Sequence, residues 1–375
     1  MKQYQEIITI LSDVANSPAK QVKDFKARTG KKVVGCAPAY TPGELVYAAG
    51  MLPVGLWGGQ VSINAAKSYI PAFCCSIFQS TLELGLTGVY DDLSAVIFPS
   101  LCDTLKCIAQ DFKIGVPHIK HIQFCHPQMR KLDHGVTFLK AEYARVLASL
   151  EEVAGVKVTN EQIADAINVF NANRQALRRF VELTRDHTDV ITPTVRHNVI
   201  KSGYFMEKPE HTALVNELCD GIAALPAVSA GKSVLLSGIM AEPDSLLNII
   251  TECGLTVTGD DLAQESRQFR NDVPTDSADA LCNLAGWWKV FEGCSLAYDP
   301  AKLRINMIID EVKKNNIKGV VICMMKFCDP EEYDYPLIKN ALDAVGIPSL
   351  YLEIDQQSDI NAQAQTRFQA FSEIL

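Results

Sequence analysis

Two stretches of this chain close on the same dipeptide. Ala95-Val96-Ile97-Phe98-Pro99-Ser100-Leu101-Cys102-Asp103 and Gly319-Val320-Val321-Ile322-Cys323-Met324-Met325-Lys326-Phe327-Cys328-Asp329 are apolar runs ending in Cys-Asp. Each is followed, after a helix-length interval, by Gly115-Val116-Pro117 or Gly346-Ile347-Pro348 and a second apolar run. The repetition predicts two thiols at the carboxyl ends of two equivalent parallel strands, where open α/β sheets hold their ligands. Zinc and iron–sulfur clusters both take thiolates, and those ligands need converge only in space. A third thiol is available at Cys74-Cys75, where a loop meets a predicted helix. Adjacent residues point in divergent directions, so only one of the two should be a ligand; Cys75 is preferred because, at the helix start, it has the dipole's positive end to favour thiolate.

Competing chemistry is weaker. A single cysteine is by default a small buried hydrophobe, and Cys107, Cys219, Cys253, Cys282, Cys294 and Cys323 are read that way; Cys36, at a strand end, stays open. His118, His121, Cys125 and His126 crowd like a zinc motif, but on a predicted strand 118–124 residues three apart face opposite sides. Ala230-Gly231-Lys232-Ser233 imitates the end of a phosphate loop, yet Pro226 stands at the required first glycine and the segment precedes a strand. No Gly-x-Gly-x-x-Gly occurs, so any nucleotide step belongs to another protein. No Ser/His/Asp triad can be picked out, and Trp287-Trp288 read as core or interface.

The elements that must carry the thiols follow from pattern. Residues 2–29 read as helix broken near Pro18. A strand at Val33–Cys36, a helix from Pro42, a strand Pro53–Trp57, a helix from Cys75 to Gly85, the Cys102 strand, a helix and a strand His118–Phe124 make a β/α alternation with a mostly parallel sheet. From Val136 the texture is helical: Val136, Leu139, Tyr143, Val146 and Leu150 form one stripe, and Ile163, Ile167, Phe170, Leu177 and Val181 another. Alternation resumes with strand Ser233–Ser237, helix Ser245–Cys253, strand Leu255–Thr258, a polar stretch 259–280, a helix, strand Gly319–Met324, a helix, strand Ser349–Glu353 and a final helix. Val34-Gly35 through Pro42 and Leu45 to Gly50 is echoed by Ser237-Gly238 through Pro243 and Leu246 to Gly254. The expected fold is α/β, with two similar parallel-sheet domains of Rossmann-like or flavodoxin-like kind, 1–135 and 229–375, and a helical domain, 136–228, inserted between them.

The 375 residues exceed what one core usually supports. A net charge of −9 argues against a nucleic-acid partner. No run of eighteen apolar residues predicts a membrane span, and the amino terminus lacks signal-peptide features. The expectation is a cytoplasmic protein whose twelve cysteines are reduced.

Val34-Gly35-Cys36, Pro42-Gly43-Glu44-Leu45, Ala48-Ala49-Gly50-Met51-Leu52-Pro53-Val54, Cys75-Ser76, Cys102-Asp103, Phe327-Cys328 and Gly346-Ile347-Pro348-Ser349-Leu350-Tyr351-Leu352-Glu353-Ile354-Asp355 together resemble the 2-hydroxyacyl-CoA dehydratase and benzoyl-CoA reductase family, in particular its smaller, β-type subunits. The resemblance implies a heterodimer with a larger α-type subunit, each subunit holding a 4Fe-4S cluster by three cysteines; here these would be Cys75, Cys102 and Cys328, leaving one iron without a protein thiolate. It implies a hydro-lyase reaction, (R)-2-hydroxyacyl-CoA to (E)-2-enoyl-CoA, started by one electron from an ATP-dependent iron–sulfur activator that makes the thioester a ketyl radical. Substrate would lie mainly on the partner, and this chain would hold or relay the electron. The alternatives are an aromatic-ring reductase subunit of the benzoyl-CoA type and a non-catalytic metal-binding scaffold.

Overall fold

The computed structural model describes residues 2–228, 231–359 and 362–375. The imitation phosphate loop at 230–233 therefore lies partly outside the described residues. The chain opens with α1 (Tyr4–Asn16) and α2 (Pro18–Thr29), separated at Pro18, whose ring suits a first helical turn. The first β/α run is β1 (Val33–Cys36), α3 (Gly43–Ala48), β2 (Leu52–Gly55), α4 (Ser76–Leu86), β3 (Ala95–Ser100), α5 (Asp103–Gly115) and β4 (Lys120–Cys125). Four helices follow: α6 (Asp133–Ala154), α7 (Asn160–Leu183), α8 (Pro193–Ser202) and α9 (Lys208–Ala223). The second run is β5 (Ser233–Gly238), α10 (Asp244–Glu252), β6 (Thr256–Leu262), α11 (Ser266–Phe269), α12 (Ala280–Val290), α13 (Leu303–Lys314), β7 (Gly319–Met325), α14 (Asp329–Ala344), β8 (Ser349–Ile354) and α15 (Ala362–Ile374).

The two sheets have one topology. The first runs β2-β1-β3-β4 and the second β6-β5-β7-β8, all parallel. Every residue of β3 and β7 is buried, which is why both strands read as unbroken apolar runs. The echo persists in the backbone: α3 and α10 are each followed by a left-handed glycine, Gly50 (φ 76°) and Gly254 (φ 69°), two residues before the next strand. A side chain there would be strained, so both copies end the helix with the residue that turns most freely.

One difference from the sequence reading is substantive. The stretch 259–280, expected as polar connection, instead carries β6 on to Leu262 and then α11, and its charged residues Asp260, Asp261, Glu265 and Arg267 are buried. Their partners come from distant elements, so the local sequence carries no mark of their burial. Strand β2 also ends at Gly55, two residues earlier than expected.

The apolar core is continuous between the sheets, with Leu236, Val321 and Leu352 in one cluster with Val34, Phe98 and Phe124. Helix α1 sends Ile7, Leu11 and Val14 into a second cluster with Val199, Val215 and Leu218 of α8 and α9. Trp287 and Trp288 of α12 are core residues against Tyr40 and Phe291, as their type suggested. All twelve cysteines are unpaired. Among the described residues no helix is long and apolar enough to cross a membrane.

Candidate functional site

Cys75, Cys102 and Cys328 occupy the same local position: each is the N-cap of the helix that follows, α4, α5 and α14 respectively. At Cys102 the thiol itself caps, Sγ accepting from the Leu105 N–H at 3.4 Å. Cys328 follows Phe327, held at φ 63°, a conformation costly for a side chain with a Cβ. That bend turns the chain from β7 into α14, whose first turn carries Pro330 and the acids Asp329, Glu331 and Glu332 that a helix amino terminus favours. Cys75 and Cys74 are buried, whereas Cys102 and Cys328 are partly accessible.

Each pair within the trio feels the other electrostatically. Burial, then Cys74, Cys328 and Cys102, push the Cys75 thiol well above its ordinary range. Burial pushes Cys102 up to about 11, opposed by the Leu105 and Thr104 N–H groups and assisted by Asp103 and Asp329. Cys328 is pushed up by burial first and then by Glu331 and Cys102, while the Glu331 N–H and Arg267 pull it down. Cys74 is pushed up to about 12, again by burial first, with Cys102 and Cys107 next. These thiols hold their protons at neutral pH unless a cation displaces them. Among the described residues no three His, Cys, Asp or Glu side chains close on one point as they would around a single ion. A cube of four irons is larger than an ion and takes its thiolates from farther apart, so separated, mutually coupled thiols are compatible with a cluster.

Helix α4 is fixed against the second sheet. Ser76 Oγ donates to Met325 Sδ at 3.1 Å and accepts from the Gln356 N–H at 3.2 Å. The Gln356 amide donates to the Trp57 carbonyl at 3.0 Å and to Glu242 Oε2 at 2.9 Å, and accepts from Ser80 Oγ at 3.3 Å. Gly58 (φ 74°) passes so close that an added Cβ would stand 2.1 Å from Ser80 Oγ. Residues after β2, β5 and β8 thus lock the helix that Cys75 opens.

Behind Cys328 lies an ionic core. Arg267 holds Asp261 through Nε (3.0 Å) and Nη2 (2.9 Å) and reaches Glu331 Oε1 at 3.2 Å and Cys294 Sγ at 3.4 Å. Arg304 donates to Asp261 Oδ2 at 2.7 Å and Glu331 Oε2 at 2.8 Å. Cys294 also accepts from Tyr40 Oη at 2.9 Å. Although burial opposes ionisation, the arginines hold Asp261 and Glu331 below the usual carboxylate range. Sequence reading missed this set: Asp261, Arg267, Arg304 and Glu331 stand on four elements, with no shared local spacing.

The histidines are scattered. His118 is exposed and pairs with Asp91 at 2.7 Å, His121 stacks on Phe98, and His126 packs between Phe124 and Trp288, where burial lowers it to about 3. Cys125 is exposed at the end of β4.

Residues 38–375 match the family model described as 2-hydroxyglutaryl-CoA dehydratase, D-component. The chain is 45% identical over its whole length, and the relative's whole length, to the lactoyl-CoA dehydratase subunit beta of Anaerotignum propionicum. It is 42% identical, again over all of both chains, to the (R)-phenyllactyl-CoA dehydratase beta subunit of Clostridium sporogenes. To the (R)-2-hydroxyglutaryl-CoA dehydratase subunit beta of Acidaminococcus fermentans it is 39% identical, covering 98% of this chain and 99% of the relative. With cysteines at the N-cap positions of three helices in a duplicated parallel-sheet frame and a match of this extent, the chain belongs to the family of 2-hydroxyglutaryl-CoA dehydratase D-component proteins, which are dehydratase subunits.

Proposed function

We propose that this chain is the β-type subunit of an (R)-2-hydroxyacyl-CoA dehydratase, a hydro-lyase, and that Cys75, Cys102 and Cys328 hold a 4Fe-4S cluster in it. The observation that carries the assignment is the mutual coupling of the three N-cap thiols, drawn from both halves of the chain. Three related beta subunits carry names that differ in the acyl group, lactoyl, phenyllactyl and hydroxyglutaryl, while sharing the 2-hydroxyacyl thioester. The reading therefore commits to that thioester class and places the thioester on a larger α-type partner.

When bound, the cluster supplies one-electron chemistry. The chain's own part is to give up three thiol protons on loading, to direct the N–H groups of α5 and α14 at sulfur, and to back Cys328 with the Arg267 guanidinium. Buried surroundings and N–H donors tune such a centre. The electron comes from a separate ATP-dependent activator in this reading, which agrees with the lack of a nucleotide motif in the sequence.

Anaerobic co-purification with the α-type subunit, followed by iron and acid-labile sulfide analysis of the separated chains, tests the proposal. Both elements should be found with this chain; absence of both overturns it. Turnover of a 2-hydroxyacyl-CoA against an aryl-CoA in the presence of activator separates the dehydratase reading from the ring-reductase one.

A further inference from the structure

A cavity of about 130 Å³ opens at the carboxyl ends of β1 and β2 and involves none of the three thiols just assigned. Cys36, Glu44, Arg174, Tyr204 and Lys208 line it, together with the loop 37–43. That loop holds two consecutive residues with a Cβ in the left-handed region, Ala39 (φ 66°) and Tyr40 (φ 57°). Such a backbone persists only where its surroundings impose it. Here Thr41 Oγ1 donates to the Ala37 carbonyl at 2.8 Å and Tyr40 is tied to Cys294.

Its charges do not balance. Arg174 Nη2 donates to Glu44 Oε1 at 2.5 Å and Nη1 to Asn171 Oδ1 at 2.9 Å, so the one buried carboxylate is already matched. Lys208 Nζ donates to the Gly203 carbonyl at 2.6 Å and lies 5.5 Å above the Phe170 ring. Among the described residues no carboxylate comes within ion-pair reach of it: Glu44 pairs with Arg174, and Glu207, at the start of α9, faces Arg28 and Lys31. The remaining titratable neighbours are neutral at pH 7. Burial drives Cys36 up to about 12 and His211 down to about 3, and raises Tyr204 and Tyr40 above the ordinary phenol range. Half-buried Lys208 feels Glu44 only at longer range, as Glu44 is paired with Arg174, and an entering monoanion supplies the close counter-charge that it lacks.

We propose that this cavity is a binding site for a small monoanion of carboxylate size, with Lys208 as its counter-ion and Arg174 and the Cys36 thiol in its wall. Strand ends of an open α/β sheet are where such ligands bind. Burial of Lys208 lowers its pKa to about 8, so the site loses its charge, and its anion, as pH rises through that value.

The test is a titration of the full chain, in its complex with the α-type subunit, with carbon-13-labelled acetate followed by NMR line broadening, at constant ionic strength set with chloride. Saturable binding is expected, retained in Lys208→Arg and at least roughly tenfold weaker in Lys208→Met, as loss of a charge-assisted hydrogen bond predicts. Lys201→Met, which removes a lysine paired with Glu242, serves as the control and should bind as the wild type does. A wild-type series from pH 7 to 9.5 needs no variant and should show binding fade through about pH 8. Absence of saturation, equal displacement by chloride, a flat pH series, or unchanged affinity in Lys208→Met would each overturn the assignment.

Discussion

Three cysteines share one backbone role, and that makes a ligand function separable from a structural one. Serine is a preferred N-cap and accepts the same backbone N–H groups as sulfur does. Cys328→Ser should therefore leave stability within about 1 kcal/mol of wild type while removing most of the iron from this chain. Urea unfolding and iron analysis on the same sample check both halves; iron content equal to wild type would speak for a structural thiol. Phe327 offers a second test next door. Its φ of 63° is tolerable for an unbranched side chain but not for a β-branched one. Phe327→Val should cost about 1–2 kcal/mol by denaturant unfolding, and Phe327→Gly should not, since the relieved strain offsets the added unfolded-state freedom.

Among the elements, the legible and illegible parts divide by the range of the interactions. The strands leading to Cys102 and Cys328 were readable because burial on both faces leaves an apolar run, and the helix boundaries near Pro18 and Pro42 were readable because proline interrupts a helix or suits its start. The segment 259–280 was misread because a charged residue looks solvated until its partner is known. Asp261 is neutralised by Arg267 from α11, Arg270 beside it and Arg304 from α13, 43 residues away. Removing that one carboxylate leaves Arg267 and Arg304 to share Glu331 and takes from Arg270 its paired carboxylate. Asp261→Asn should cost about 3–5 kcal/mol, measured as a shift of the urea midpoint. In the candidate site, the Cys-Asp repetition led to two thiols and the helix start to the third, but no sequence signal led to Gln356 or Arg267, which touch the site only through tertiary packing.

Across the whole molecule, buried ion pairs set the response to pH. His197 is fully enclosed between Glu265 and Glu242; burial disfavours its charge, yet the two carboxylates raise it to about 9. A folded pKa above the unfolded value near 6.5 means that its contribution is full below about pH 6.5 and is lost as pH rises toward 9. The depressed carboxylates Glu242, Glu265, Asp261 and Glu331 behave oppositely, contributing above about pH 4.5 and failing in acid. His126 and His211, held neutral by burial at about 3, also lose stability as pH falls below about 6.5, so stability should be greatest between about pH 6.5 and 7. Above about pH 8 the raised thiols deepen the alkaline loss while Lys208 opposes it, and below about pH 7 His126 and His211 still titrate in the unfolded chain, so His197 dominates between about pH 7 and 8. Thermal unfolding should fall across that interval in the wild type and stay nearly level in His197→Gln; equal slopes in the two proteins would refute the assignment.

The order of the thiols along the chain has a consequence for biogenesis. Cys75 and Cys102 precede the four central helices, and Cys328 comes long after them, beyond β5 and β6. While the chain is emerging, the first two wait beside an incomplete set until the second sheet has formed and docked through contacts such as Ser76 with Met325. Under the proposed assignment, a cofactor needing all three would be retained only by a chain whose second sheet is complete and docked, so its retention would report a finished fold.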